Sequence, residues 1–197
     1  FVTSKFFGIP KTMLEVKLEE KSFFELDAEL KSDKIIIKTK KLGKRYSPDI
    51  ILKTIESFTD KNSIRSVKEL TCGPAKLIVR YFPVWSKGDS LRMEYYDKAR
   101  KHYGEKLHDN IPKLLNEYHG VRIHREGLRE FKYGDPGYDW VARERISRGL
   151  SGTVQADRLI GYCMITSEKN PGIIATTNRT EAINNQAFRD LQDFVIA

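Results

Sequence analysis

Apolar and charged side chains alternate near the start of the chain, and this alternation limits the fold more than any other feature of the sequence. Every second residue is apolar from Leu14 to Leu18 and again from Phe24 to Leu30, with charged residues between them. A period of two is that of a β-strand with one buried face. Residues 35–37 are apolar and follow a short polar turn, so the pattern predicts an antiparallel meander with one face in water.

Two further elements are predicted after this meander. Ser47 is a good helix cap, and Pro48 after it suits the first helical position. Ile51, Ile55 and Phe58 then recur at helical spacing, which predicts a helix over about residues 48–58. Residues 75–85 are rich in β-branched and aromatic side chains and are apolar on both parities in places. This pattern predicts a central strand that is covered on two sides.

The rest of the chain mixes helix and strand patterns without internal repeats. The predicted elements are, in order, a basic helix over residues 91–103, a helix over residues 110–119, hairpin strands over residues 121–125 and 128–133, and a buried strand over residues 159–166. Glu126 and Gly127 form the hairpin turn, because glycine accepts the positive φ that such a turn needs.

Size and composition narrow the class of protein. The chain has 197 residues, of which 40% are hydrophobic and 31% charged, and this suits one domain or two small ones. Its apolar runs are shorter than the roughly 18 residues of a membrane span, and its N-terminus lacks a secretory pattern. Two cysteines and four scattered histidines provide neither a disulfide framework nor a zinc motif. We therefore expect a cytoplasmic protein without a membrane partner or a metal.

Residues 1–70 and residues 71–197 differ in character. The first part is predicted to be a β-meander plus a helix, packed on or belonging to the same domain as the second part, which is an α+β core. Each part has four more basic than acidic residues, so the net charge of +8 is spread evenly. The first part has 13 Lys and 2 Arg, and the second has 8 Lys and 12 Arg. Because arginine recognises planar anions through paired N–H groups, the second part is the better place for a site.

Two basic segments are candidates for contact with a nucleic acid. Residues 38–45 carry five cations and no acid, and they form either a phosphate contact or a solvated turn. Residues 121–148 hold six arginines among aromatic residues, and they form either an anion-binding surface or a set of ion pairs with nearby acids. The candidates for nucleic-acid contact are Lys40, Lys41, Lys44, Arg45, Arg122, Arg125 and Arg129.

Motifs of several common enzyme classes are missing from the sequence. It has no phosphate loop ending in Gly-Lys-Ser/Thr, no nucleophile elbow, no dinucleotide glycine motif and no paired-histidine metal motif. Cys72 either presents a reactive thiol or belongs to a turn before a strand, and Cys163 lies inside the apolar run as a structural residue. Asp135 and Asp139 are either an acid-base or metal pair or ordinary turn residues.

Arg179 lies in a polar loop between the apolar run and the end of the chain. An apolar stripe from Ile183 to Phe194 predicts a closing helix, and Asn178 with Glu181 resembles a capping box at its start. The positive end of a helix dipole and its free N–H groups favour an anion. Arg179 therefore either binds a phosphate at this helix end or pairs with a surface carboxylate.

The order of these motifs resembles a known family. The sequence GVRIHREGLREFKYG at residues 120–134 is followed by Asp139-Trp140, then by RLIGYCMI at residues 158–165 and by TNRTE at residues 177–181. Over about residues 72–195 this order is similar to the transducer, or middle, domain of GHKL ATPases. That superfamily includes gyrase B, MutL, the ninety-kilodalton heat-shock chaperone and the MORC proteins. The chain looks most like bacterial histidine-kinase-like ATP-binding proteins.

The resemblance implies a fold and a mechanism. The fold would be α+β, a two-layer β-α sandwich of the transducer type, which is like domain 2 of a ribosomal protein, with a mixed or antiparallel sheet and helices on one face. In that superfamily an N-terminal domain binds ATP and Mg²⁺ and dimerises when loaded, and the transducer supplies one basic residue to the γ-phosphate. Arg179 would be that residue, with Thr177 and Asn178 shaping its loop. Relatives use lysine or arginine in this role.

The resemblance also assigns this chain a place in a larger protein. The Glu/Asn helix and the Asp-x-Gly-x-Gly motif of the ATP-binding half are missing here, and the chain starts at Phe1 instead of Met. We therefore expect a downstream piece that holds no cofactor alone and couples ATP binding and hydrolysis in an upstream domain to conformational change. A homodimer and DNA are further partners that the resemblance implies. The alternative is a nucleic-acid-binding module that uses residues 38–45 and the arginine-rich hairpin.

Overall fold

The chain has an α+β fold built on a mixed seven-stranded sheet. The computed structural model describes residues 24–42, 48–60, 63–82, 101, 112–113, 115–135, 138–141, 158–177 and 180–196. The strands are β1 (Phe24–Leu30), β2 (Ile35–Leu42), β3 (Pro48–Ile55), β4 (Ser57–Asp60), β5 (Ser63–Ser66), β6 (Ala75–Tyr81), β7 (Gly120–Arg125), β8 (Leu128–Glu130) and β9 (Leu159–Ile165). Helix α1 spans Gln186–Ile196, a 3-10 turn spans Val67–Glu69, and residues 112–113 and 115–118 are also helical.

The large sheet has the strand order β3-β2-β1-β6-β9-β7-β8, and β4 pairs with β5 in a separate ribbon. Its neighbours are antiparallel except β7 and β9, which are parallel. Strands from both the first 70 residues and the later part therefore share one sheet. The predicted strands at β1, β2 and β9 and the β7–β8 hairpin are confirmed. The predicted strand at residues 14–18 lies outside the described residues, as does the helix at residues 91–103 except for residue 101, which is helical.

The register of β1 and β2 follows the alternation in the sequence. On one face Asp27 stands opposite Lys38 and Glu25 opposite Lys40, and on the other face Ala28 stands opposite the apolar Ile37. A slip of one residue would bring the charged set to the core, so the alternation fixes the pairing.

The helix predicted over residues 48–58 is wrong, because these residues form β3 and the beginning of β4. Ile51 and Ile55 are four apart, and residues four apart lie on one side of a strand as well as of a helix. β3 is rich in β-branched residues, which favour extended backbone. It also completes a full antiparallel ladder with β2, and this ladder gives partners to the backbone groups along the edge of β2, which a helix at this place would not do.

The central strands β6, β9 and β7 are buried on both faces. One face carries the main core, to which α1 contributes Leu191 and Phe194. On the opposite face Ile78, Ile160 and Met164 are each at most 7% exposed. The double burial predicted for the strand at residues 75–85 is confirmed. Apolar residues of both parities must leave water, so these strands need cover on both faces.

The β7–β8 hairpin has the predicted turn. Glu126 and Gly127 have φ values of 47° and 83°, and positive φ at both positions defines the tight turn that suits strand twist. The second strand ends at Glu130, earlier than expected. Gly134 then brings the chain back against β7, where an added Cβ would lie 2.4 Å from the carbonyl oxygen of Val121. Only glycine fits this approach, which also requires a φ of 77°.

Helix α1 begins at Gln186, so the capping box predicted at Asn178 and Glu181 is wrong. Asn185 is the N-cap, and its Oδ1 accepts a hydrogen bond of 3.0 Å from the N–H of Phe188. An isolated β-bridge between residues 175 and 182 keeps the preceding chain extended. The helix cannot start before this bridge ends, whatever the cap-like pattern ahead of it.

A buried aspartate joins α1 to the first part of the chain. Asp190 has no exposed surface. Its Oδ1 accepts hydrogen bonds of 2.6 Å from Arg65 Nη2 and from Gln186 Nε2. Its Oδ2 accepts bonds of 2.5 and 2.7 Å from the N–H and the hydroxyl of Thr71. Burial opposes the ionisation of Asp190, but the hydrogen bonds from Thr71, Arg65 and Gln186 together outweigh it and lower the pKa of this carboxyl.

Replacing Asp190 with asparagine is expected to lower the free energy of unfolding by about 2–4 kcal/mol at neutral pH, because Arg65 loses the buried one of its two carboxylate partners and Thr71 loses a charged acceptor. The lowered pKa means that the carboxylate stabilises the fold above the pKa of an unfolded aspartate, and this contribution is lost as the pH falls through the folded-state pKa. Acid unfolding followed by circular dichroism should thus be less steep in Asp190→Asn.

The control for this experiment is Asp193→Asn. Asp193 also contacts Arg65, at 2.7 Å, but its side chain is 25% exposed, so its loss should cost only about 1 kcal/mol. Equal stability of Asp190→Asn and the wild-type chain would show that this buried contact does not hold α1 in place.

Candidate functional site

The loop that contains Arg179 is closed at its base by hydrogen bonds. The N–H and the hydroxyl of Thr176 both donate to the carbonyl oxygen of Glu181, at 2.8 and 3.0 Å. Next to this pair, Ala175 and Ala182 form an antiparallel bridge. Residues 176–181 are named the Arg179 loop below, and its two ends are fixed to each other.

The base of the Arg179 loop is also fixed to the hairpin region. The N–H of Ala182 donates to the hydroxyl of Tyr133 at 3.1 Å. Arg125 on β7 donates through Nη2 to the carbonyl oxygen of Ile173 at 2.7 Å, on the chain that leads into the loop. Both sides of the base therefore have a partner in the hairpin segment.

An aromatic cluster holds Tyr133 in position. Its ring centroid lies 5.4 Å from that of Phe131, 5.8 Å from that of Trp140 and 5.5 Å from that of Phe188 on α1. The Nε1–H of Trp140 donates to the carbonyl oxygen of Val121 at 2.6 Å. Burial raises the pKa of the Tyr133 hydroxyl. The hydroxyl thus stays protonated at neutral pH on a ring that its neighbours hold still.

Arg179, which is predicted to contact the phosphate, and Asn178, which is predicted to shape its loop, lie outside the described residues. Thr177 is described and is exposed. Helix α1 begins at Gln186, seven residues after Arg179, so Arg179 is not at the helix start as predicted. The prediction that Arg179 binds phosphate therefore depends on the loop and not on the helix dipole.

Arg122, one of the candidates for nucleic-acid contact, is buried and binds backbone carbonyls of the protein itself. It is 6% exposed, and it donates through Nη1 to the carbonyl oxygen of Tyr118 at 2.5 Å. A second donation, from Nη2 to the carbonyl oxygen of Glu117, measures 3.5 Å. Burial lowers the pKa of this guanidinium. Arg122 thus supplies partners to carbonyls at the end of the helical residues 115–118, where a cation is favoured.

The other two hairpin arginines form ion pairs. Arg125 contacts the carboxylate of Glu130, and Arg129 contacts that of Asp135 at 2.5 Å. Of the two alternatives for the hairpin, surface for an anion or set of ion pairs, the geometry of Arg125 and Arg129 is that of ion pairs. Asp135 is engaged in the same way, which accounts for it without an acid-base or metal role.

The basic segment at residues 38–45 is not a turn in its first half, because β2 continues to Leu42. Lys40 lies in this strand, and its Nζ is 3.7 Å from a carboxylate oxygen of Glu25 on β1. Lys41 is also part of β2, and Lys44 and Arg45 lie outside the described residues. Pairing with β1 and β3 extends the strand beyond the point where its apolar residues end.

The described residues contain no group of three or more side chains suited to hold a metal ion. None of the helices in this part of the chain is long and apolar enough to cross a membrane. Both cysteines are buried, Cys72 with 1% and Cys163 with none of its surface exposed. Burial raises the pKa of the Cys72 thiol to about 12 and also raises that of Cys163. Neither thiol is therefore poised as a nucleophile.

The two cysteines are expected to resist a thiol reagent in the folded protein at pH 8, because both are buried and protonated. Both should react once the protein is unfolded in guanidinium chloride. The measurement is the number of thiols modified per chain before and after unfolding. Fast modification of a thiol in the folded chain would contradict the structural role assigned to it.

Sequence reasoning missed Asn170, which fixes the chain that leads toward the Arg179 loop. Asn170 is 1% exposed, and its Nδ2 donates to the carbonyl oxygens of Cys72 and Pro74 at 2.7 and 3.0 Å. Its Oδ1 accepts a bond of 2.9 Å from the N–H of Thr166. The Asn-Pro-Gly sequence at residues 170–172, a few residues after the buried strand, marks a turn, and that was the available signal. This signal does not indicate which backbone groups the side-chain amide of Asn170 binds.

Comparison of the chain with protein-family models, with curated proteins and with solved structures finds no match in any of the three. The functional argument therefore depends on the motifs in the sequence and on the contacts between them.

Substituting Tyr133 with phenylalanine is expected to loosen the base of the Arg179 loop, because the N–H of Ala182 loses its acceptor while the aromatic packing remains. The cost in unfolding free energy should be only about 1 kcal/mol. Amide hydrogen exchange at Ala182 should become faster, while exchange in the central strand β9 should change little. Unchanged protection of Ala182 would show that the Tyr133 hydroxyl does not hold the loop.

Proposed function

We propose that this chain is the transducer region of a GHKL-type ATPase and that Arg179 contacts the γ-phosphate of ATP bound by an upstream domain. The observation that carries the proposal is the closed base of the Arg179 loop, where Thr176 bonds to Glu181 and Ala182 bonds to Tyr133. A loop fixed in this way is suited to deliver one side chain from a rigid support.

The motifs that carry the resemblance are also neighbours in space. Trp140 of the Asp-Trp pair donates to Val121 of the hairpin. Tyr133, at the end of the hairpin motif, accepts a bond from Ala182, which directly follows the TNRTE sequence. Residues that are far apart in the chain thus converge on the loop, as a shared functional unit requires.

The chemistry proposed for this chain is electrostatic. A guanidinium placed against the γ-phosphate stabilises the charge that develops as the phosphoryl group is transferred to water. The four residues that join Thr176 to Glu181 are too few to enclose a nucleotide, and they suit a single contact. ATP and Mg²⁺ would be held by the upstream domain, and this chain would contribute Arg179, with Thr177 and Asn178 in the same loop.

The nucleic-acid-binding alternative has less support. Such a surface needs cations that are free to neutralise phosphates. Arg122, Arg125 and Arg129 already contact carbonyl or carboxylate groups of the protein, and Lys40 lies near Glu25. Using them would first require breaking these contacts.

The test is ATP turnover by the full-length protein that carries the upstream domain. Arg179→Ala is expected to lower the turnover rate by about 100-fold or more, because a positioned charge on the transition state is lost. Arg179→Lys should retain a larger part of the rate, since the positive charge remains. Binding of ATP measured without turnover should change much less than the rate in either variant.

Arg189→Ala is the matched control, because Arg189 is an exposed arginine of α1 whose side chain bonds to Asn184 and Gln186 nearby. Its turnover should equal that of the wild-type protein. Undiminished turnover in Arg179→Ala would contradict the proposed contact between Arg179 and the γ-phosphate. A wild-type protein that does not hydrolyse ATP would contradict the ATPase assignment itself.

A further inference from the structure

The chain on either side of the Arg179 loop forms a short two-stranded ribbon. Three consecutive residue pairs join residues 174–176 to residues 181–183. The pair farthest from the loop is closed by a hydrogen bond of 2.8 Å from the N–H of Ile183 to the carbonyl oxygen of Ile174. An isolated two-stranded ribbon is at best marginally stable in water. Its position therefore depends on contacts with the rest of the protein.

Arg125 supplies one of these contacts. It is the last residue of β7, and its Nη2 donates at 2.7 Å to the carbonyl oxygen of Ile173, which is 48 positions away in the chain. Its Nε donates to the carboxylate of Glu130 on β8. The side chain of Arg125 is 15% exposed. Because the donors of a guanidinium are fixed in one plane, the ion pair with Glu130 also orients the bond to Ile173.

The ribbon thus has one contact for each of its strands. Tyr133 meets the second strand at Ala182 through a neutral hydrogen bond of 3.1 Å, and Arg125 meets the chain just before the first strand through a charged donor. Hydrogen bonds from a charged donor are about twice as strong as neutral ones. Ile173 is also buried, so water has little access to its bond with Arg125. Of the two contacts, that of Arg125 is the stronger.

We propose that Arg125 is a positioning residue for the phosphate contact of Arg179 and that it acts through the carbonyl oxygen of Ile173. This inference rests on the function proposed above, and it gives Arg125 a role other than nucleic-acid contact. In this role Arg125 fixes the ribbon that carries the Arg179 loop and supplies no charge to the nucleotide. Misplacing a reacting group by about 1 Å can cost about 100-fold in rate, so a single charged contact needs a fixed support.

The first test is ATP turnover by the full-length protein with Arg125→Met, which removes the donors and keeps much of the apolar stem. Its kcat should fall about 10- to 100-fold because the contact is misplaced in the transition state, whereas KM should change less than about threefold.

Arg80→Met is the matched control. Arg80 is 13% exposed and pairs with Asp27 at 2.8 Å, but its partners lie on β1 and β6. Its loss should cost a similar amount of stability and leave kcat close to that of the wild-type protein. An unchanged kcat in Arg125→Met, or an equal loss in Arg80→Met, overturns the proposal.

A double-mutant cycle distinguishes this proposal from the one made for Arg179. If Arg125 acts only by placing Arg179, the double variant Arg125→Met with Arg179→Ala should turn over ATP at the rate of Arg179→Ala alone. A further loss as large as that in Arg125→Met would show that Arg125 acts by another route. The positioning role would then be overturned while the contact of Arg179 stood. Undiminished turnover in Arg179→Ala would overturn both.

Amide hydrogen exchange in the same proteins measures the ribbon without turnover. The N–H groups of Thr176 and Ile183 should exchange about tenfold faster in Arg125→Met, because the ribbon opens more often once it loses its charged contact. Exchange at both groups in Arg80→Met should equal that of the wild-type protein. Unchanged protection of Thr176 and Ile183 in Arg125→Met overturns the role given to Arg125, whether or not the protein hydrolyses ATP.

Discussion

The position of α1 depends on one buried charge. Asp190 lies inside the protein with four hydrogen bonds to its two oxygens, from Arg65, Thr71 and Gln186. Arg65 belongs to the β4–β5 ribbon and Thr71 to the chain that leads into β6, so a single carboxylate joins three parts of the structure. Because a buried ion without partners is very costly, these parts must be assembled together or not at all. The main core that α1 covers depends on the same contact.

The Arg179 loop depends in turn on that assembly. Phe188 of α1 packs on Tyr133, and the Tyr133 hydroxyl accepts a bond from the loop base. Asn185 caps the helix and also donates to the carbonyl of Gly172, on the chain that enters the loop. A displacement of α1 would therefore move Tyr133 and Asn185, and both side chains contact the Arg179 loop or the chain that enters it. This connection suits the transducer role proposed above.

Much of the sheet could be predicted from the sequence because alternation is a local property. The alternating residues of β1 and the apolar run of β9 each define a buried face without reference to the rest of the chain. The turn at Glu126 and Gly127 is equally local, since it needs only a residue that accepts positive φ. For β3 the local signal was ambiguous, because the spacing of Ile51 and Ile55 fits both a helix and a strand. The segment forms a strand because it pairs with β2 along its whole length.

The candidate site shows the same division. The sequence by itself predicted which residues could bind an anion, among them Arg179 in its polar loop and the arginines of the hairpin. It also determined the alternation that separates the core from the surface. Only the tertiary structure decided that Arg122, Arg125 and Arg129 bind the protein's own carbonyls and carboxylates, and that α1 begins at Gln186. Most of these partners are near in the chain, as Tyr118, Glu130 and Asp135 are, but the backbone path of the hairpin decides which of them each guanidinium meets. The bond from Arg125 to Ile173 joins residues that are far apart in the chain, and no local pattern encodes it.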